Sequence, residues 1–176
     1  CGSEPRSGLG AALGASLAAA AVERRLAVEG ALDLRGLGDE ILAGLVRLAA
    51  IAGLGLREHF LFTIVGAAFA GERAVVFACG DGVAAVDGRV TRLGPYPGNA
   101  PPYLAYALEG AAVSLDCLYD GPAKSVLVGT DGAADGDLAP LLAGGRFFTN
   151  PDLLRRALRV QRLDDDATVA LLRRVP

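Results

Sequence analysis

Residues 60–82 read FLFTIVGAAFAGERAVVFACGDG. Phe60–Ala70 and Arg73–Cys79 are near-continuous apolar runs joined by Ala-Gly-Glu-Arg. Runs of this length and texture predict two central strands of a hairpin, covered on both faces. Downstream, Val83–Val86 and Arg89–Leu93 flank Asp87-Gly88, a strong hairpin-turn pair. Gly94–Pro102 (GPYPGNAPP) reads as a loop. Its few prolines make no PxxP repeat. Ala111–Tyr119, Ser125–Gly129 and Thr168–Arg173 read as further strands. Leu138–Leu142 and Pro151–Val160 read as helices, with Pro151 suited to a first helical turn.

Upstream the texture is helical. Ser7–Leu26 is rich in Ala and places Leu9, Leu13, Leu17 and Ala20 at helical spacing, with Ser7 as N-cap. A Gly- and Asp-containing link over Glu29–Gly38 leads to a second helix, Asp39–Ala52. Ile41, Leu45, Leu48 and Ala52 form its apolar stripe, widened by Leu42, Val46 and Ala49. Gly53 and Gly55 stop it. The order is two helices, a meander of strands, then helices and a strand, so antiparallel sheets are expected. Strands apolar on both faces need cover on both. Two stacked sheets with helices outside, an α+β fold of the αββα sandwich type, supply it. No repeat and no long linker divides the 176 residues, which predicts a single domain.

Composition excludes several classes. Seventeen basic and twenty acidic residues give a net charge of −3, with no basic cluster, so no nucleic-acid partner is expected. The uncharged run Ser7–Val22 is too short and too weakly apolar for a bilayer span, and no signal peptide stands at the start, so no membrane contact is expected. One His and three scattered Cys (1, 79 and 117) leave no zinc-site spacing and fit a reducing compartment, the cytoplasm. Cys79 and Cys117 fall in apolar strands and read as small core residues. His59 reads as a strand-entry residue making one structural hydrogen bond. Arg155, Arg156 and Arg159 read as the wet face of a helix, with binding of phosphorylated substrate as the rival role. The chain has no Met and starts at Cys1, which predicts a cut or processed start.

Five Asp-Gly dipeptides occur, at 81, 87, 120, 131 and 135. An isolated Asp-Gly is usually a turn. Asp81 and Asp131, however, each emerge from the C-terminal end of an apolar strand, and Asp164-Asp165-Asp166 stands just before the closing strand. Three consecutive carboxylates repel one another, and a solvated turn or a cation relieves that. Carboxylates converging from strand ends without His or Cys describe an oxygen-only site for Mg²⁺ or Mn²⁺. Two such ions about 4 Å apart would activate water against a phosphate ester.

In this order the motifs resemble the metal-dependent type 2C Ser/Thr protein phosphatases, in their compact bacterial branch. Val126-Leu127-Val128-Gly129-Thr130-Asp131-Gly132-Ala133-Ala134-Asp135 is similar to the family's strand ending in Ser-Asp-Gly-x-x-Asp. Asp165-Asp166-Ala167-Thr168-Val169 resembles its closing Asp-Asn-Ile-Thr-Val stretch. Thr63 and the run to Gly80-Asp81-Gly82 resemble its paired strands ending in Gly-Asp-Gly. Cys1-Gly2-Ser3, Ser7–Ala11, Asn99–Tyr106 and Phe147–Asp152 also look like the bacterial branch.

The resemblance implies an αββα sandwich that hydrolyses phosphomonoesters of phosphorylated proteins with metal-activated water, without a phosphoenzyme. It implies two Mn²⁺ or Mg²⁺ ions, with a third in some members. Asp131 and Asp165 match metal ligands, with Asp164 or Asp166 if the register slips. Asp81 and Asp135 match positions tied to the third, weaker metal. The implied partners are phosphoprotein substrates and a partner Ser/Thr kinase. The match begins partway through the family's first Asp-Gly motif. A chain lacking that Asp is expected to bind metal poorly and be inactive unless the native protein supplies it. Two rivals stand beside the enzyme: an inactive phosphatase fold serving as a binding or regulatory module, and an amidohydrolase using Cys1 as nucleophile.

Overall fold

The structure, a computed structural model, describes residues 7–143, 145–161, 163 and 165–174. Cys1–Ser3 and Asp164, invoked above, lie outside them. The fold is α+β, with a three-stranded sheet in the order β1-β2-β5 and a four-stranded sheet in the order β4-β3-β6-β7. The strands are β1 Ile64–Ala70, β2 Arg73–Cys79, β3 Gly82–Val86, β4 Arg89–Leu93, β5 Asp116–Pro122, β6 Ser125–Gly129 and β7 Val169–Arg173. The helices are α1 Ser7–Glu29, α2 Leu34–Ala52, α3 Leu56–His59, α4 Asp131–Ala134, α5 Ala139–Ala143 and α6 Pro151–Val160. No helix among the described residues is long and apolar enough to cross a membrane. The residues cluster into two compact units.

The first unit takes in the chain up to Ile64, Phe77–Gly80 and Pro95–Leu118. Its core joins Leu37, Ile41 and Leu45 of α2 to Phe60, Phe77 and Leu104, all nearly or fully buried. At about 25 cal/mol per Å² of apolar surface, each such side chain contributes roughly 1.5–3 kcal/mol. Small residues bring α1 close: a Cβ at Gly10 would overlap the His59 carbonyl, and one at Gly14 the Phe62 ring. Glu40 of α2 takes ion pairs from Arg24 and Arg25 of α1.

Helix α2 starts at Leu34, five residues before the expected Asp39. The Asp33 carboxylate caps it, accepting from the backbone N–H of Arg35 at 3.1 Å and Gly36 at 2.9 Å. A local cap thus overrides the helix-weakening glycines 36 and 38. Asp33→Ala is expected to cost about 1 kcal/mol in urea unfolding, and an unchanged midpoint would refute the cap's role. At the other end Gly53 closes α2 with φ 65°, as its position predicts.

Strand β1 begins at Ile64, not Phe60. The Phe60 N–H is bonded to the Leu56 carbonyl (2.9 Å) as the end of α3, so it cannot serve a ladder. His59 therefore sits in a helical turn rather than at a strand entry. It does make the expected structural contact, with Nδ1 3.1 Å from the Gly55 carbonyl. Strand β5 begins at Asp116, not Ala111. A 3₁₀ helix over Leu104–Glu109 precedes it, closed by Gly110 at φ 88°, and the Ala111 N–H returns to the Tyr106 carbonyl at 3.1 Å. A further 3₁₀ turn over Pro97–Asn99 lies in the Pro/Gly loop.

Cys79 is buried as expected, but Cys117 is exposed. Burial, aided by the Asp116 charge, pushes the Cys79 thiol up to about 12. At pH 8 Cys79 is then almost wholly thiol, and the thiolate is the reactive form. Mapping of iodoacetamide adducts at pH 8 should show Cys117 modified readily and Cys79 only after denaturation. Equal rates at the two would contradict this packing.

The second unit takes in Val65–Val76, Asp81–Gly94 and the chain from Tyr119 onward. Its four-stranded sheet is antiparallel throughout, with Val83 opposite Gly129 and Gly129 opposite Val169. Val83, Ala85 and Leu127 pack with Leu138, Leu141 and Phe147. Ala84, Val126 and Val128, on the alternate positions, are buried too, so β3 and β6 are covered on both faces. Of the two strands expected to be central, β2 is, while β1 stands at the edge of the order β1-β2-β5 with only Ile64 and Ala68 buried. Pro151 opens α6 behind the cap Asn150, whose side chain accepts from the Leu153 N–H. Two of the Asp-Gly pairs are structural. The Asp87 carboxylate gathers the N–H groups of Lys124 (3.0 Å) and Ser125 (2.8 Å), and Asp120 pairs with Arg73 at 2.8 Å.

Candidate metal centre

The site grows from one end of the four-stranded sheet. Strand β6 leaves that end between the starts of β3 and β7. Asp81 stands just before β3, Asp131 just after β6, and Asp165 four residues before β7. Antiparallel pairing therefore sends the three acidic segments to a common sheet end, within the second unit.

Thr130 stitches two of them together. Its N–H donates to the Thr168 carbonyl at 3.0 Å. Its Oγ1 accepts from the Thr168 N–H at 3.0 Å and donates to the Asp166 carbonyl at 3.2 Å. Beyond it, Gly132 passes so close to the closing segment that a Cβ there would stand 2.6 Å from the Asp166 oxygen and 3.1 Å from the Asp165 carbonyl carbon. The Asp131-Gly132 turn thus lies directly against Asp165-Asp166. No larger residue fits at 132 without displacing backbone. Arg92 of β4 fixes the other end of α4, donating from Nε to the Ala134 carbonyl at 2.7 Å.

Each carboxylate of the pair is oriented locally. Asp131 Oδ1 accepts the Gly132 N–H at 3.0 Å, and Asp165 Oδ1 accepts the Asp166 N–H at 2.7 Å. Asp131 is half-buried and Asp165 exposed. Asp81 is half-buried between two glycines of positive φ, 103° at Gly80 and 137° at Gly82, a corner that a side chain at either position would strain. Asp135 is the exposed C-cap residue of α4. The structure brings Asp131 and Asp165 onto touching segments. Among the described residues it gathers no group of three or more His, Cys, Asp or Glu placed to hold an ion.

Two carboxylates on adjoining backbone fit a hydrated Mg²⁺ or Mn²⁺, which keeps several waters and takes one or two protein carboxylates. They do not make an all-protein cage. Thr130 and Gly132 are the contributors that sequence reasoning missed. Both stand inside the quoted Thr130-Asp131-Gly132 motif, but nothing in their spacing shows that their contacts run to residues 165–168.

Asp165 and Asp166 also form one wall of a groove of about 390 Å³. Arg155, Leu158 and Arg159 of α6 line it as well. No protein-family model matches this chain, and no curated protein matches it.

Proposed function

We propose that the chain is a phosphatase domain of the type 2C kind, an αββα sandwich that hydrolyses phosphomonoesters on Ser/Thr-phosphorylated proteins with Mn²⁺ or Mg²⁺. The observation that carries this reading is the seating of the Asp131-Gly132 turn against Asp165-Asp166. Asp131 and Asp165 would hold the ion, with Asp81 at the same sheet end. Bound there, the ion would supply a water of lowered pKa and neutralise phosphate charge. The protein's own part is geometric. Thr130 fixes the spacing of the two carboxylate segments, Gly132 lets them touch, and the local N–H groups orient one oxygen of each carboxylate. The implied partners are a phosphorylated protein and the Ser/Thr kinase that opposes the reaction.

The test is hydrolysis of p-nitrophenyl phosphate by the native gene product, which carries whatever Asp-Gly motif precedes Cys1. Turnover that needs Mn²⁺ and stops with EDTA is the expected result. A folded protein without turnover at any Mn²⁺ concentration would replace the enzyme with a binding or regulatory module. Activity on amides that thiol alkylation destroys and chelators spare would point instead to the Cys1 nucleophile.

A further inference from the structure

Three arginines project from α6, at 155, 156 and 159, and all three are exposed. The groove distinguishes them. Arg155 and Arg159 line it and Arg156 does not. Residues four apart share a helix face, so these two guanidiniums stand one turn apart on one wall. Leu158 of the same helix and Leu163 of the following segment add apolar lining, and Asp165 and Asp166 line the same groove. The volume falls in the range of sites that hold a small ligand.

Charge decides what such a groove accepts. Two guanidiniums and two carboxylates leave it near neutral. A divalent cation on Asp165 would make it net positive. The complementary guest is a dianion with a short apolar stem, and guanidinium forks suit phosphate geometry. We propose that Arg155 and Arg159 are the phosphate-recognising wall of this groove, holding the phosphomonoester of a phosphorylated side chain beside Asp165. Leu158 and Leu163 take the stem. This rests on the phosphatase reading, and it assigns recognition of the phosphoryl group to α6. Arg155 lies 3.5 Å from Asp152 in an exposed i,i+3 pair, a contact weak enough to exchange for a phosphate.

Phenylphosphonate, which cannot be hydrolysed at its P–C bond, is the probe. It is titrated calorimetrically into the native gene product with Mn²⁺ present, and Mn²⁺ affinity is measured separately by electron paramagnetic resonance without phosphonate. Arg155→Ala and Arg159→Ala should each weaken phosphonate binding about tenfold. Arg156→Ala should leave it within about twofold, since that side chain lies off the groove. Arg159→Lys should fall between, keeping the charge and losing the fork. Mn²⁺ affinity should be unchanged in all four. Equal losses at 155, 156 and 159 would mean non-specific surface charge and overturn the proposal. So would phosphonate affinity indifferent to Arg155 and Arg159, or no phosphonate binding at millimolar concentration. Mn²⁺ binding with an indifferent groove would sink the groove alone. Arginine-dependent phosphonate binding by a native gene product that binds no Mn²⁺ would sink the phosphatase reading and leave the groove as an anion site.

Discussion

Gly10→Ala is expected to destabilise the first unit by about 3 kcal/mol or more, while Gly8→Ala on the same helix stabilises it by about 0.5 kcal/mol. Both exchanges improve helix propensity in α1, so propensity alone predicts two gains. Sterics separates them. The added methyl at residue 8 meets nothing within 4 Å. At residue 10 it would occupy the place of the His59 carbonyl oxygen. That oxygen belongs to backbone and cannot rotate away. His59 is held by its N–H to Gly55 at 3.1 Å and by its ring on the same carbonyl. Helix α1 must then retreat from Phe60, which is 1% exposed and lies 3.2 Å from the same methyl position. Urea unfolding of both variants reads the difference directly. A Gly10→Ala protein as stable as the parent would mean that α1 does not pack on α3 as described.

The sequence marks an element well where its boundaries are set by its own residues. Strands β2 and β4 and helix α6 run over the stretches their texture predicts, because turn residues or a proline bound each one. Boundaries fail where a short-range hydrogen bond, not the apolar pattern, decides them. The start of α2 depends on a carboxylate turning to catch two N–H groups, and the start of β1 on Phe60 being spent in a helical turn. A long apolar run gives no sign of either. The candidate site divides in the same way. That Asp131 follows one strand and Asp165 precedes another is plain from the chain. That these strands are neighbours follows only from the order β4-β3-β6-β7, in which Gly129 of β6 pairs with Val169 of β7. Thr130 binds Asp166 and Thr168 across 36 and 38 residues, and no local pattern announces contacts of that span.

The larger effect expected at the site belongs to Asp131. Asp131→Asn should reduce Mn²⁺-dependent hydrolysis more than about a hundredfold, since loss of even an outer-sphere partner of a metal ligand costs 10–100-fold. The exchange is nearly isosteric, and the amide oxygen of Asn can still accept the Gly132 N–H that Asp131 Oδ1 takes at 3.0 Å. The unfolding midpoint should therefore stay put, and the loss can be assigned to the missing charge. Thr130 supplies the complementary test, because its hydroxyl is engaged by the Asp166 carbonyl and the Thr168 N–H. Thr130→Val keeps the shape but leaves the Thr168 N–H without its acceptor and the Asp166 carbonyl without its donor. It should weaken Mn²⁺ binding about tenfold, and Thr130→Ser should restore it. A purely structural hydroxyl would lower the unfolding midpoint in Thr130→Val and leave Mn²⁺ affinity in the folded protein alone. A positioning hydroxyl moves the affinity itself, because Asp165 is carried by the segment that Thr130 holds against the Asp131 turn. If Asp131→Asn binds Mn²⁺ as tightly as the parent, the pair at this sheet end is an arrangement of turns and the ion has no home there.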